Sequence, residues 1–118
     1  MSMRILVADD EFITGFDLCD TFEEAGYEVE GPHAGLCSAM EACEKCRPDL
    51  AILDIELADG QAYELAQMLL DHDVPVILHS EPSDVGRLAA RFPRAKTLAK
   101  PCPPAELLDV VSRALAPA

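Results

Sequence analysis

Short apolar runs alternate along the chain with longer segments that mix apolar and polar positions. Residues 3–8, 50–53 and 74–78 are apolar almost throughout, residues 27–31 alternate, and residues 96–99 repeat the run in a weaker form. Runs that are apolar throughout are typical of strands covered on both faces of a sheet. We therefore predict five strands, with 27–31 nearer the sheet edge.

The segments between these runs have the period of amphipathic helices, because apolar residues recur at every third or fourth position. The five apolar stripes are Phe12, Phe16, Cys19 and Phe22; Leu36, Met40 and Cys43; Ala62, Leu65, Ala66 and Leu69; Leu88 and Phe92; and Leu107, Val111, Ala114 and Leu115. Ser83 is expected to cap the fourth helix, and Pro103 and Pro104 to start the fifth. Strands alternating with helices predict an α/β fold with a doubly wound, five-stranded parallel sheet and five helices. The chain length predicts one domain, 1–118.

The composition narrows the range of functions. Asp and Glu number 22 against 9 Lys and Arg, which gives a formal charge of −13. This balance argues against nucleic-acid binding and against anionic membrane surfaces, and it suits a basic partner or a cation. No apolar run approaches the roughly 18 residues of a membrane span, and an odd count of five cysteines points to free thiols in a reducing compartment. We therefore expect a cytoplasmic protein.

Polar side chains that can carry chemistry follow the apolar runs. They are Asp9, Asp10, Glu11, Asp54, Ser80 and Lys100. In an open parallel sheet, ligands bind outside the carboxyl ends of the strands. We therefore expect these carboxylates, the hydroxyl and the ammonium group to meet at one edge of the sheet.

This set of groups fits phosphorylation of an aspartate. Clustered carboxylates are costly to keep ionised unless a cation binds between them, and oxygen ligands alone suit Mg²⁺ or Mn²⁺. A carboxylate can attack phosphorus, and a metal ion and a lysine can supply the positive charge that phosphoryl transfer needs. A serine hydroxyl can donate a hydrogen bond to a further phosphoryl oxygen.

The segments ILVADDE, DLAILDIEL, PVILHS and LAKP, in this order and spacing, resemble the receiver domains of bacterial response regulators in two-component systems. The resemblance covers nearly the whole chain and implies the flavodoxin-like receiver fold. It implies that Asp54 is the phosphoacceptor and that Asp9 and Asp10 hold the metal, with Asp10 the more direct ligand. It also implies the backbone carbonyl of Glu56 as a further ligand.

The same resemblance assigns roles to the ends of the last two strands. Ser80 would be the switch hydroxyl that follows the phosphoryl group, and Lys100 its ion-pair partner, with a cis bond to Pro101. The phosphoryl donor would be a histidine kinase or a histidine phosphotransfer protein. An unknown downstream protein would read the signal, through the fourth helix, fifth strand and fifth helix. We expect no enzyme activity beyond the domain's own phosphotransfer and dephosphorylation, and a homodimer is left open.

The chain departs from the common pattern of these domains in three places. Thr97 stands where many receivers carry a Tyr or Phe whose rotamer reports phosphorylation, and the loop IELADG is short. With the phrase EFITGFDL, these departures resemble a subgroup common in alphaproteobacteria that lacks the aromatic switch. That subgroup usually has an Ala-Thr-Gly type segment where this chain has HSEP. Glu81 and Glu56 add negative charge beside the expected phosphoryl group, which we expect to disfavour phosphorylation or hasten its loss.

Two features have a second interpretation. Cys43 and Cys46 could be a redox pair, or ligands of a zinc ion with His33 and Cys37, but their spacing and place near the end of a helix favour ordinary thiols. His79 could be a pH-sensitive neighbour of the phosphoryl group, whereas the simpler interpretation is a packed side chain at a strand end.

Two other functions stay open. An aspartate-nucleophile phosphohydrolase resembling the haloacid dehalogenases would need an Asp-x-Asp motif after the first strand, and the chain is short for the cap of such an enzyme. A non-phosphorylated pseudo-receiver would keep the fold as an interaction module, but the intact Asp10, Asp54 and Lys100 argue against it.

Overall fold

The computed structural model describes residues 2–116, so residues 1, 117 and 118 of the predicted domain lie outside the described part of the chain. The strands are β1 (Arg4–Ala8), β2 (Glu28–His33), β3 (Leu50–Leu53), β4 (Glu56–Leu57), β5 (Gly60–Gln61), β6 (Val76–Ser80) and β7 (Lys96–Ala99). The helices are α1 (Phe12–Glu24), α2 (Leu36–Lys45), α3 (Tyr63–Asp71), α4 (Pro82–Arg91) and α5 (Pro104–Leu115). The five longer strands form a parallel sheet and the two short ones an antiparallel hairpin, which confirms the predicted fold.

The strand order β2-β1-β3-β6-β7 places β2 at an edge, as predicted, and puts the reversal of strand order between β1 and β3. The chain leaves β1 for β2 on one side and later returns to β3 on the other. The carboxyl ends of β1 and β3 therefore border the crevice where ligands bind in doubly wound folds.

The sheet is buried on both faces, which explains why its central strands are apolar throughout. Alternate residues of each strand point to opposite faces. Leu53 and Leu78 pack with α3 residues on one face, whereas Ile52 and Ile77 pack with Phe22 of α1 on the other. None of the helices within residues 2–116 is long and apolar enough to cross a membrane.

The predicted stripe of α1 is wrong at two positions. Phe12 and Phe16 are 69 % and 53 % exposed, and the buried face carries Gly15, Leu18, Cys19 and Phe22 instead. On a helix of 3.6 residues per turn, Phe16 lies roughly 100° from the centre of that face. The spacing of the phenylalanines matched a helix, but the aliphatic and small residues between them decide which side packs on the sheet.

Two predicted boundaries near the site also differ from the structure. β6 extends to Ser80, because its last residues pair with β7, whereas the apolar run ended at residue 78. Ser83 does not cap α4: Glu81 is the N-cap residue, Pro82 is the first helical residue, and no side chain makes a cap hydrogen bond. The start of α5 at Pro104 is as predicted.

Candidate functional site

Asp54 lies directly after β3, at the carboxyl edge of the sheet. Its backbone N–H donates to the carbonyl of Ala8 (2.8 Å), which keeps it level with the end of β1. Its side chain is largely buried, and Oδ2 accepts a hydrogen bond from Lys100 Nζ at 2.7 Å. Oδ1 accepts the backbone N–H of Glu56 at 3.1 Å. Both carboxylate oxygens of Asp54 therefore accept a hydrogen bond from elsewhere in the protein.

Lys100 brings three carboxylates together. Besides Asp54, its Nζ lies 3.2 Å from Asp9 Oδ2 and 3.2 Å from Glu11 Oε1. Burial lowers the pKa of Lys100, but the hydrogen bond and charge of Asp54, followed by those of Asp9, outweigh burial and raise it overall. Burial raises the pKa of Asp9, and the Glu11 backbone N–H and Lys100 oppose that rise. Asp54 and Lys100, which were expected to lie at the same edge of the sheet, are in direct contact there.

A group of oxygens at this edge could hold a metal ion. Asp9, Glu11 and Asp54 each offer a carboxylate oxygen, and these oxygens lie within 4.8 Å of one another. Asp9 Oδ2 is buried and forms an ion pair with Lys100 Nζ at 3.2 Å. An acceptor in that position fits a cation, and an all-oxygen set suits Mg²⁺ or Mn²⁺. Asp10 is exposed and stands outside this group.

Ser80 is the last residue of β6, and Thr97 is the second residue of the adjacent β7. Ser80 is buried, its Oγ has no hydrogen-bond partner within residues 2–116, and its carbonyl accepts the backbone N–H of Lys100 at 2.8 Å. Thr97 occupies the place of the missing aromatic, and its hydroxyl is also buried without a partner. Within the described residues, both hydroxyls are therefore buried donors without an acceptor.

His79 points to the opposite face of β6 from Ser80. It is 3 % exposed, neither ring nitrogen has a hydrogen-bond partner, and it lines a cavity of about 250 Å³ between α1 and the start of α5. Burial lowers its pKa, as does the charge of Lys100. This agrees with a packed, neutral imidazole.

The two extra acidic side chains are exposed and do not enter the carboxylate group. Glu56 belongs to the hairpin, and its Oε1 accepts a hydrogen bond from Gln61 Nε2 at 3.0 Å. Glu81 immediately precedes α4. Both residues are near Asp54 and Ser80 in sequence, but because their carboxylates are exposed, solvent screens their charge from the site.

The cysteines and His33 do not assemble into a zinc site. Burial raises the pKa of Cys43 to about 11, which disfavours the thiolate that redox chemistry needs. Cys46 is exposed. His33 is hydrogen-bonded to Ser38 at 3.0 Å and to Glu30 at 2.8 Å. Within residues 2–116, the acidic group around Asp54 is the one cluster with metal-ligand geometry.

Two features of the site lie outside the roles that the sequence predicts. Glu11, which follows the first strand and has no predicted role, contacts Lys100. Asp59 reaches across from the hairpin to the start of α2. The acidic motif DDE is a sequence signal for Glu11. No local pattern indicates the role of Asp59, because its hydrogen-bond partners lie 22 and 23 positions away along the chain.

Comparison with known proteins agrees with this arrangement. Residues 5–112 match the response regulator receiver domain family. The chain is 33 % identical to the phyllosphere-induced regulator PhyR of Methylorubrum extorquens, over 98 % of this chain and 44 % of PhyR, so it spans less than half of that relative. It is 31 % identical to protein Rrf1 of Nitratidesulfovibrio vulgaris, over 98 % of this chain and 85 % of Rrf1.

A solved structure gives the same result. The receiver domain of PhyR from Erythrobacter litoralis superposes with a TM-score of 0.84 at 26 % identity, and the match covers 99 % of this chain and 95 % of that domain. The family match spans most of the chain, and the sheet order and the acidic edge agree with it. The chain therefore belongs to the response regulator receiver domain family of two-component signalling.

Proposed function

We propose that residues 1–118 form a phosphoacceptor receiver domain that takes a phosphoryl group onto Asp54 from a histidine kinase or a histidine phosphotransfer protein. The reaction depends on Mg²⁺ and takes place in the cytoplasm, and the domain signals through contacts with a downstream protein. The observation that carries this proposal is the buried contact of Asp54 with Lys100, whose ammonium also forms an ion pair with the buried Asp9.

The transfer is a displacement at phosphorus. A carboxylate oxygen of Asp54 forms a bond to phosphorus while the bond from phosphorus to the donor's histidine nitrogen breaks and its electron pair stays on that nitrogen. The Glu56 N–H orients the Asp54 carboxylate. Lys100 lies close enough to pair with the transferred group, and the free Ser80 hydroxyl can donate to one of its oxygens.

Asp9, Asp10, Asp54 and the backbone carbonyl of Glu56 are the residues that we propose for the metal. A bound Mg²⁺ would supply positive charge shared between the acceptor and the phosphoryl oxygens. Asp9 contributes a buried carboxylate, and Asp10 an exposed one at the rim of the crevice. Glu11 also offers an oxygen to this edge.

The donor protein has a surface to bind beside the site. Phe12, Ile13 and Phe16 of α1 are all more than half exposed, and the rings of the two phenylalanines stack at 6.1 Å. Large apolar side chains grouped on a surface mark interaction sites. Because this group directly follows Glu11, which contacts Lys100, a partner docked on it would reach Asp54. The charge of −13 favours a basic partner.

Labelling with acetyl phosphate tests the proposal. Incubation with Mg²⁺ should add one phosphoryl group by intact-mass spectrometry, and EDTA should prevent it. Asp54→Asn should abolish the label. Asp73→Asn is a matched control, because Asp73 is exposed, pairs with Arg94 and has a positive φ that asparagine tolerates. Full labelling of the Asp54 variant would refute the site.

The second candidate is a non-phosphorylated interaction module. The observation that favours it is Thr97 in place of the aromatic; the added negative charge of Glu56 and Glu81, near Asp54 and Ser80 in sequence, acts in the same direction but is weakened by exposure to solvent. Absence of both labelling and Mg²⁺ binding at millimolar concentration would support that candidate over the first. Turnover of a phosphate ester such as p-nitrophenyl phosphate would instead favour the phosphohydrolase.

A further inference from the structure

The hairpin that follows Asp54 is fastened to the start of α2. The carboxylate of Asp59, in the hairpin turn, accepts the backbone N–H of Leu36 and that of Cys37, the latter at 3.2 Å. The backbone N–H of Ala58 donates to the carbonyl of Ala34 at 2.9 Å. Three hydrogen bonds therefore join residues 58–59 to residues 34–37.

Asp59 replaces a local cap on this helix. The first N–H groups of a helix have no partner within it, and a side chain at the N-cap position usually accepts from them. Gly35 is the N-cap residue of α2 and has no side chain to do so. A Cβ atom at Gly35 would lie 3.1 Å from Asp59 Oδ1, so the close approach of the carboxylate favours glycine here. These backbone bonds lower the pKa of Asp59 and keep it ionised.

The other end of the hairpin is part of the acceptor site. Glu56 pairs with Gln61, Leu57 pairs with Gly60, and Leu57 is buried. The N–H of Glu56 holds Asp54 Oδ1. The backbone around residue 56 is therefore fixed from two directions, by the acceptor and by the attachment of the turn to α2.

We propose that Asp59 is a positioning residue for the acceptor site: by anchoring the hairpin turn to α2, it holds the backbone of Glu56 against Asp54 and the metal. The effect on metal binding rests on the proposed function, whereas the anchoring of the hairpin can be measured in the metal-free protein. Some residues orient a metal ligand without binding the metal themselves, and their substitution commonly weakens metal affinity by about 10- to 100-fold. Because the hairpin is a surface element, we expect the lower end of that range.

Three variants of residues 1–118 separate the effect of the anchor from a general change at the start of α2. Asp59→Ala removes two of the three hydrogen bonds that anchor the turn. Ser38→Ala is the matched control, because it removes the hydrogen bonds of Ser38 Oγ to the Gly35 carbonyl (3.2 Å) and to His33 (3.0 Å) at the same helix end and leaves the Asp59 carboxylate in place. Mg²⁺ is titrated while backbone amide chemical shifts are recorded. We expect Asp59→Ala to raise the Mg²⁺ dissociation constant about tenfold, and Ser38→Ala to leave it unchanged. Asp59→Asn, which keeps one acceptor oxygen, should lie between.

Hydrogen exchange of the metal-free proteins gives the independent readout. The amides of Glu56 and Ala58 should exchange about tenfold faster in Asp59→Ala than in the wild type and Ser38→Ala, since local opening governs exchange. Unchanged exchange at both amides, or equal Mg²⁺ affinity in the two alanine variants, would overturn the inference. If the wild type itself binds no Mg²⁺, the proposed function fails. Exchange then tests the anchor alone, and faster exchange in Asp59→Ala would uphold it.

Discussion

Replacing Lys100 by methionine removes the ammonium group that contacts Asp54, Asp9 and Glu11, while it keeps a side chain of similar length. The methylene stem can still pack, so the change is mainly one of charge. Two of the carboxylates are buried and would lose their cationic partner together.

The expected loss of stability follows from these contacts. At 2.7 Å from Asp54 and an effective dielectric constant of about 20, a charge pair attracts by ~6 kcal/mol before desolvation is counted. Desolvation offsets much of that attraction, and removing one partner of a buried pair typically costs about 3–5 kcal/mol because the remaining charge has no compensation. Glu11 is well exposed and water reaches it, so we expect about 3 kcal/mol.

Urea unfolding at pH 7, followed by circular dichroism in EDTA, measures this loss. Lys96→Met is the matched control, since Lys96 lies on the same β7 strand but is exposed, and such changes usually stay within about 0.5 kcal/mol. Mg²⁺ should then stabilise the Lys100 variant more than the wild type, because a cation between the carboxylates replaces the lost charge. An equal effect of the Lys96 and Lys100 substitutions would refute the electrostatic account of the site.

Three further predictions concern the rest of the molecule. Ile13→Ala should slow phosphoryl transfer from a protein donor about tenfold and leave labelling by acetyl phosphate unchanged. Quench-flow measures the rate of transfer, and mass spectrometry measures the acetyl phosphate label. Iodoacetamide at pH 8 should alkylate the exposed Cys46 well before Cys19, whose pKa burial raises to about 11; peptide mass mapping over time checks the order. Tyr63→Phe removes the hydroxyl that accepts a hydrogen bond from Arg87 at 2.6 Å, and should lower the free energy of unfolding in urea by about 1 kcal/mol or less.

The apolar pattern alone predicted the fold and the meeting of Asp54 with Lys100. Both residues directly follow a run that packs into the sheet, and parallel strands end at one edge. Apolar runs mark the strands of the sheet, so the residue that follows a run can be placed at its edge, even after β7, which is only partly buried. The same pattern failed for Phe12 and Phe16, because a helical period does not say which of two adjacent stripes faces the sheet.

The path of the backbone decided the remaining features of the site. Three acidic residues follow β1, and the apolar pattern does not distinguish them, yet Asp9 is buried, Asp10 is exposed and Glu11 reaches Lys100. Asp59 caps a helix that begins 23 positions earlier, which no local spacing indicates. Hydrophobic periodicity reflects local burial, so the sequence by itself determined the sheet, its helices and the edge where Asp54 and Lys100 meet. Hydrogen bonds and ion pairs form between groups that are close in space, so only the tertiary structure decided which polar side chains are partners.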